Sequence, residues 1–149
     1  MKLEFSGAPE ITASRQQVWT KLMDPDFVAA SAPGVESVEA VDPTHFKVIS
    51  GLGVGSIKVR FKLDVELFDV LPGQQLKMRA RGKAPGSALD VVSHLRLEDA
   101  GPEKTRLNWS ATSEASGTVA SVGARLLEGT ARRLTEGFWT DFARRVSAG

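Results

Sequence analysis

The chain has 149 residues, 42% of them apolar, and its 19 Lys and Arg against 18 Asp and Glu leave a net charge of +1. That is the size of one domain with one core, spanning 1–149, and the near-neutral balance supplies no global pull toward nucleic acid or an anionic bilayer. The absence of cysteine excludes disulfides, thiolate metal sites and a cysteine nucleophile, and suits a reducing cytoplasmic setting.

The opening Met1-Lys2-Leu3-Glu4-Phe5 alternates charge with apolarity and lacks the apolar run of a signal peptide. No stretch approaches the roughly 18 apolar residues that cross a bilayer. Leu3, Phe5 and Gly7 against Lys2, Glu4 and Ser6 predict a first strand with one buried face, running to about Thr12. Ser14-Arg15-Gln16-Gln17 fits a capping box that opens a short helix burying Val18, Trp19 and Leu22. Asp24-Pro25 ends it, because the residue before proline is pushed out of helical geometry. A second helical turn is expected from Phe27 to Ser31, stopping at Pro33-Gly34.

From Val35 the pattern becomes a series of strands, with turns expected at Asp42-Pro43, Gly51 to Gly55, Pro72-Gly73, Pro85-Gly86 and Gly101-Pro102. The clearest strand runs from Ser56 to Leu67, where Ile57, Val59, Phe61, Leu63, Val65 and Leu67 alternate with charged residues. Leu76, Met78, Ala80 and Gly82 continue the inward rule, followed by Val91, Ser93, Leu95 and Leu97, then by Leu107, Trp109, Ala111 and Ser113. Last comes one long amphipathic helix from about Thr118 to Val146, with Val119, Val122, Leu126, Leu127, Leu134, Phe138, Phe142 and Val146 on its dry side. Gly123, Gly129 and Gly137 interrupt it, which points to close backbone approach, room for a guest, or a bend.

This order gives an α+β helix-grip fold: a curved antiparallel sheet of about seven strands wrapped around a long C-terminal helix, with two short helices after strand 1. Small inward residues at Ala80, Gly82 and Ala111 facing a glycine-bearing helix suggest an apolar cavity, although a core filled by Phe61, Met78 and Trp109 fits the pattern nearly as well.

The segment Asp24-Pro25-Asp26-Phe27-Val28-Ala29-Ala30-Ser31-Ala32-Pro33-Gly34-Val35-Glu36-Ser37-Val38-Glu39 resembles part of the carbon monoxide dehydrogenase CoxG family, which reads as an aspartate-proline, a short helix, a proline-glycine and a glutamate-containing strand. Val122-Gly123-Ala124-Arg125-Leu126-Leu127-Glu128-Gly129-Thr130-Ala131-Arg132-Arg133-Leu134 is similar to that family's terminal-helix signature. The family belongs to the START-like (SRPBCC) polyketide-cyclase and lipid-transport superfamily, whose members bind apolar ligands between sheet and helix. The resemblance implies a small accessory protein of molybdenum-containing carbon monoxide dehydrogenases and related hydroxylases, with roles in membrane recruitment and in handling quinone. Some relatives reach the membrane through a C-terminal extension; with the last residue at Gly149, no such tail is expected here.

The inventory for catalysis is thin. His45 and His94 are not spaced as a zinc motif and read as surface residues, and Glu128, Glu136 and Asp141 have arginines three or four residues away on the same helix. Gly51-Leu52-Gly53-Val54-Gly55 lacks the lysine and helix of a phosphate loop. Its Leu52 and Val54, on a hairpin tip, would form a lip at the cavity mouth, fold back onto Phe27 and Val28, or simply continue a strand. Ser93, Ser113 and Thr130 offer hydroxyls to a quinone carbonyl or another polar head, or else bond local backbone. Lys58, Arg60 and Lys62 beside Lys77, Arg79, Arg81 and Lys83 form a basic outer stripe that serves solvation and edge protection or docks an acidic partner or lipid headgroups. With no exposed aromatic between those charges, nucleic acid is not expected.

The expected function is a non-enzymatic carrier of a quinone or lipid-like molecule, with no metal or cofactor. Its cavity would be lined by Phe27, Phe61, Met78, Trp109, Leu126, Thr130 and Leu134, and it would serve a molybdenum hydroxylase in the cytoplasm or peripherally at the inner membrane face. Its rivals are a cyclase- or hydrolase-like enzyme with His94 turned inward, and an interaction module with a filled core.

Overall fold

The computed structural model describes residues 1–32 and 34–149, so the expected stop at Pro33 lies outside the described residues. The first strand is shorter than expected. Lys2–Gly7 (β1) ends before Ala8-Pro9, and pairing resumes as a separate two-residue strand, Glu10–Ile11 (β2). Proline has no N–H to give a ladder, but its carbonyl still accepts: Leu107 N–H donates to Pro9 O at 3.0 Å. Ser14 then caps Arg15–Leu22 (α1) through the expected reciprocal pair, with Gln17 N–H donating to Ser14 Oγ at 3.2 Å and Ser14 N–H to Gln17 Oε1 at 2.8 Å. Asp24-Pro25 closes α1 and also opens Pro25–Ser31 (α2). Proline suits the first helical position, and the Asp24 carboxylate accepts from Asp26 and Phe27 N–H.

Six further strands follow: Val35–Asp42 (β3), His45–Val54 (β4), Ile57–Leu71 (β5), Gln75–Ala84 (β6), Ser87–Gly101 (β7) and Lys104–Gly117 (β8). They complete one eight-stranded antiparallel sheet in the order β1-β8-β7-β6-β5-β4-β3, with β2 also on β8. The count exceeds the expected seven by the split at Pro9. Alternation fixes the register, because a slip of one residue would turn the apolar row of β5 to solvent and its charges inward.

The C-terminal helix is two pieces rather than one. Thr118–Val122 is a 3₁₀ turn, pinned where Val119 N–H donates to Ser87 Oγ at 3.0 Å. Gly123 follows at φ 104°, a conformation outside the helix and open to glycine, and Ala124–Ser147 (α3) begins after it. Thr12 N–H donates to Ser147 Oγ at 2.9 Å, tying the far end of α3 to the end of the first strands. Between them, Trp109 of β8 stacks on Trp139 at 6.1 Å, Trp139 meets Phe142 edge-on at 5.7 Å, and Phe142 meets Phe27 of α2 edge-on at 5.8 Å.

Gly129 and Gly137 do not make room for the sheet. Both are exposed, and a Cβ built on either meets nothing within 4 Å. Gly129→Ala and Gly137→Ala should each stabilise the protein by about 0.5–1 kcal/mol, since alanine costs a helix less entropy than glycine. At Gly117, by contrast, φ is 80° and a Cβ would fall 2.0 Å from Gly86 O, so Gly117→Ala should destabilise by more than about 1 kcal/mol. Urea unfolding of the three variants checks both signs.

Candidate functional site in the concave face

The sheet's inner face can be read as rungs from its register. One rung runs Ser113–Val91–Ala80–Val65–Phe46, and its neighbours run Ala115–Leu89–Gly82–Leu63–Val48 and Ala111–Ser93–Met78–Leu67. The rung Trp109–Leu95–Leu76, which takes the Trp139 stack, is fully buried. In the three rungs beyond it, Val91, Val65, Leu89, Leu63, Val48, Met78 and Leu67 are only half-buried. A strand rises about 6.6 Å over two residues and a helix about 1.5 Å per residue, so each rung matches about four residues of α3. Counting back from Trp139, the half-buried rungs lie opposite the first half of α3, in keeping with the Arg132 guanidinium 5.1 Å over the ring of Phe5, the register partner of Ala111. The second half of the helix is seated on aromatic rings, while under the first half an apolar floor is left partly uncovered.

Against this floor the expected lining residues separate. Met78 and Leu134 are half-buried at it, and Thr130 is 4% exposed on the helix above it. Phe61 and Trp109, 2% and 5% exposed, belong to the packed core on either side. Phe27 is half-buried in the aromatic chain, with the Arg145 guanidinium 4.1 Å over its ring. Leu126 departs from expectation: it is 45% exposed and reaches Gly55, whose added Cβ would lie 3.0 Å from Leu126 Cδ2. Adjacent leucines on a helix are about 100° apart, and Leu127 takes the buried place.

Leu52 and Val54 are not on a hairpin tip. They continue β4 opposite Val59 and Ile57, Val54 is buried, and Gly55-Ser56 makes the turn. Gly82 is not empty space either, because a Cβ there would meet Leu63 Cδ2 at 2.5 Å. Sequence reasoning misses Trp139, 7% exposed, because Phe138 beside it already satisfies the apolar period.

The outer face carries the charge. Lys62 and Lys83 stand opposite each other in the β5–β6 register, as expected for the basic stripe, but acids interleave it. Arg60 Nε donates to Glu36 at 2.8 Å, Lys77 pairs with Asp69 at 3.2 Å, and Arg79 bonds Asp90 through two nitrogens at 2.8 and 3.2 Å. Those bonds from Arg79, with Arg81 adding its charge, hold the Asp90 carboxyl below its usual range. Lys58, Lys62 and Lys83 have no ion-pair partner among the described residues.

His94 is exposed on this outer face, turned away from the floor. His45 opens β4 just after the Pro43-Thr44 turn, with Nδ1 2.9 Å from Asp42. Two shallow surface hollows lie elsewhere, one along the outward side of α3 from Gly129 to Arg144 and one between the start of α1 and the end of α3. Among the described residues, no acidic or histidine cluster could hold a metal, and no helix is long and apolar enough to cross a membrane.

The His45–Asp42 hydrogen bond raises the histidine above its ordinary 6.5 and lowers the aspartate below its ordinary 3.8. The histidine's contribution to hairpin stability is complete below its unfolded pKa and disappears as pH rises through the raised folded value. The aspartate's contribution is present above its unfolded pKa and disappears as pH falls through the lowered one. An NMR titration should place His45 above free histidine and return it toward that value in Asp42→Asn; an unshifted wild-type His45 contradicts the pairing.

The family model for the carbon monoxide dehydrogenase CoxG protein matches residues 7–147. Among solved structures, the chain is similar to a conserved protein from Geobacillus kaustophilus, at 25% identity and a TM-score of 0.89 over 98% of this chain and 96% of that one. It is similar in fold to a START superfamily protein from Mycobacterium smegmatis, at 12% identity and a TM-score of 0.72 over 97% of each chain. The same holds for the Zhui aromatase/cyclase from a Streptomyces species, at 18% identity and a TM-score of 0.68 over 100% of this chain and 99% of that one. A search of curated proteins gave no match. With both signature segments inside the matched span and a START-like helix-grip sheet around α3, the chain belongs to the CoxG family.

Proposed function

We propose that this protein binds and carries a hydrophobic molecule, quinone- or lipid-like, as an accessory to a molybdenum-containing hydroxylase of the carbon monoxide dehydrogenase type. Family membership supports the accessory role, and one observation carries the ligand: seven aliphatic or thioether side chains of the concave face stay half-buried beneath the helix that should cover them. Each 100 Å² of that floor covered by an apolar guest would stabilise the complex by about 2.5 kcal/mol, so tail length dominates affinity. Exposed Lys58, Lys62 and Lys83, with Arg81 beside them, are the surface proposed for the partner enzyme, at the cytoplasmic side or peripherally on the membrane. A cyclase-like reading finds no imidazole at the floor, since His94 faces the other way.

Native mass spectrometry of gently purified protein should show an apolar mass that leaves on mild activation. Val91→Phe, which places a ring on the uncovered floor, should weaken ligand capture at least tenfold while changing thermal stability little. Clean apo protein that takes up neither quinone nor lipid when offered them would refute the carrier role.

A further inference from the structure

Hydroxyls buried in a fold ordinarily give their proton to nearby backbone. Thr105 does so: its Oγ1 donates to Ala13 O at 2.8 Å. Ser93 and Thr130 behave differently. They are 6% and 4% exposed, yet neither hydroxyl has a hydrogen-bond partner among the described residues, and the half-buried Ser113 has none either. Neither oxygen is sealed from solvent: among the described residues the one sealed side-chain atom outside good hydrogen-bond geometry is Asn108 Nδ2, on the outer face near Glu98, so the oxygens of Ser93 and Thr130 open onto space rather than onto packed carbon.

Their placement is coherent. Ser113 pairs with Val91 and Ser93 with Ala111, which makes the two serines diagonal neighbours on adjacent inner rungs of β7 and β8. Thr130 lies on α3 about two rungs back from Trp139, opposite the Ser113 rung by the rise of helix and strand. The rungs around them carry no charged side chain. Of the helix cations near them, Arg132 bonds Glu128 at 3.1 Å and approaches Glu136 at 3.8 Å, while Arg125 and Arg133 are exposed, Arg133 on the outward side with Gly129 and Gly137.

We infer that Ser93, Ser113 and Thr130 form the head-group site of the floor and that it selects an uncharged carbonyl over a carboxylate. The inference rests on the carrier reading above. A carbonyl oxygen has two lone pairs and can accept from two hydroxyls at once, which relieves donors left open in an apolar slot. A carboxylate would enter with no cation to meet it and would have to be neutralised or excluded. The apolar part of the ligand would then lie along Val65, Met78 and Leu134.

The test uses the full chain and three probes of equal length: an aliphatic methyl ketone, the alkane and the fatty carboxylate. Binding is read by displacement of a neutral naphthylamine dye at neutral pH. The ketone should bind most tightly and the carboxylate most weakly. Ser93→Ala and Thr130→Val should each lower ketone affinity roughly 2- to 10-fold and leave the alkane unchanged. Circular dichroism confirms that both variants are folded. A carboxylate that binds as tightly as the ketone, or a ketone-to-alkane ratio that neither variant moves, overturns the head-group assignment while the carrier reading stands. Failure of all three probes to displace the dye overturns the carrier reading and this inference with it.

Discussion

Two stacked indoles hold the architecture together. Trp109 comes from the centre of β8 and Trp139 from the second half of α3, and their contact continues through Phe142 to Phe27, so sheet, long helix and short helix share one aromatic seam. Aromatic pairs of this kind add to their large buried area a preference for offset or edge-on geometry, which fixes the rotation of the helix as well as its distance. Once that rotation is set, Phe142, Ala143 and Val146 must point inward and Gly129 outward. The side chains left to face the sheet farther back are slim or aliphatic: Leu127, Thr130, Ala131 and Leu134. The interior is therefore dense where rings meet and loose where they are missing.

The same seam explains why α2 stays close. Its last carbonyls have no glycine cap of the usual left-handed kind; Arg145 reaches across from α3 to the carbonyl of Phe27 and the hydroxyl of Ser31, with its guanidinium lying over the Phe27 ring. One arginine thus satisfies backbone, side chain and π-face together. Its position there, away from the sheet, leaves the interior rungs free of ions. On the convex side several charges pair, as Arg60 with Glu36 and Arg79 with Asp90, but at Lys62 and Lys83 like charges oppose across a register pair and ordinarily cost stability.

The sheet is legible in the sequence because its period of two is unforgiving: β5 can bury Phe61 and Leu63 only by exposing Lys62 and Asp64. The Ser14 cap is legible for a similar reason, since its spacing permits one local geometry. The phase of the helix is harder to read. At about 100° per residue Trp139 lies roughly 120° around the axis from Leu127, so the buried side at the start of α3 differs from that at its end, where Trp139 and Ala143 are inside. A pattern cannot choose between neighbours such as Leu126 and Leu127 or Phe138 and Trp139 without knowing that rotation. Glycines mislead for another reason. In Gly51 to Gly55 they look like a turn, but Gly51 and Gly53 pair in register with Arg60 and Lys58, and Gly51 N–H donates to Gly34 O at 2.8 Å. There the missing side chain admits a neighbouring backbone: a Cβ on Gly34 would fall 1.9 Å from Gly51 O. Which apolar residues of the floor remain uncovered depends on where a remote helix comes to rest, and no local pattern records that.

The joint at Gly123 has one more consequence. The long helix begins there with no side chain to bond its first free amides, and the φ of 104° at Gly123 bars a serine or aspartate from that place. Fraying is thus cheapest at the terminus farthest from the indole anchor and nearest the Leu126–Gly55 contact. The first turn of the rod is the part held least, while the rings keep the rest in its seat.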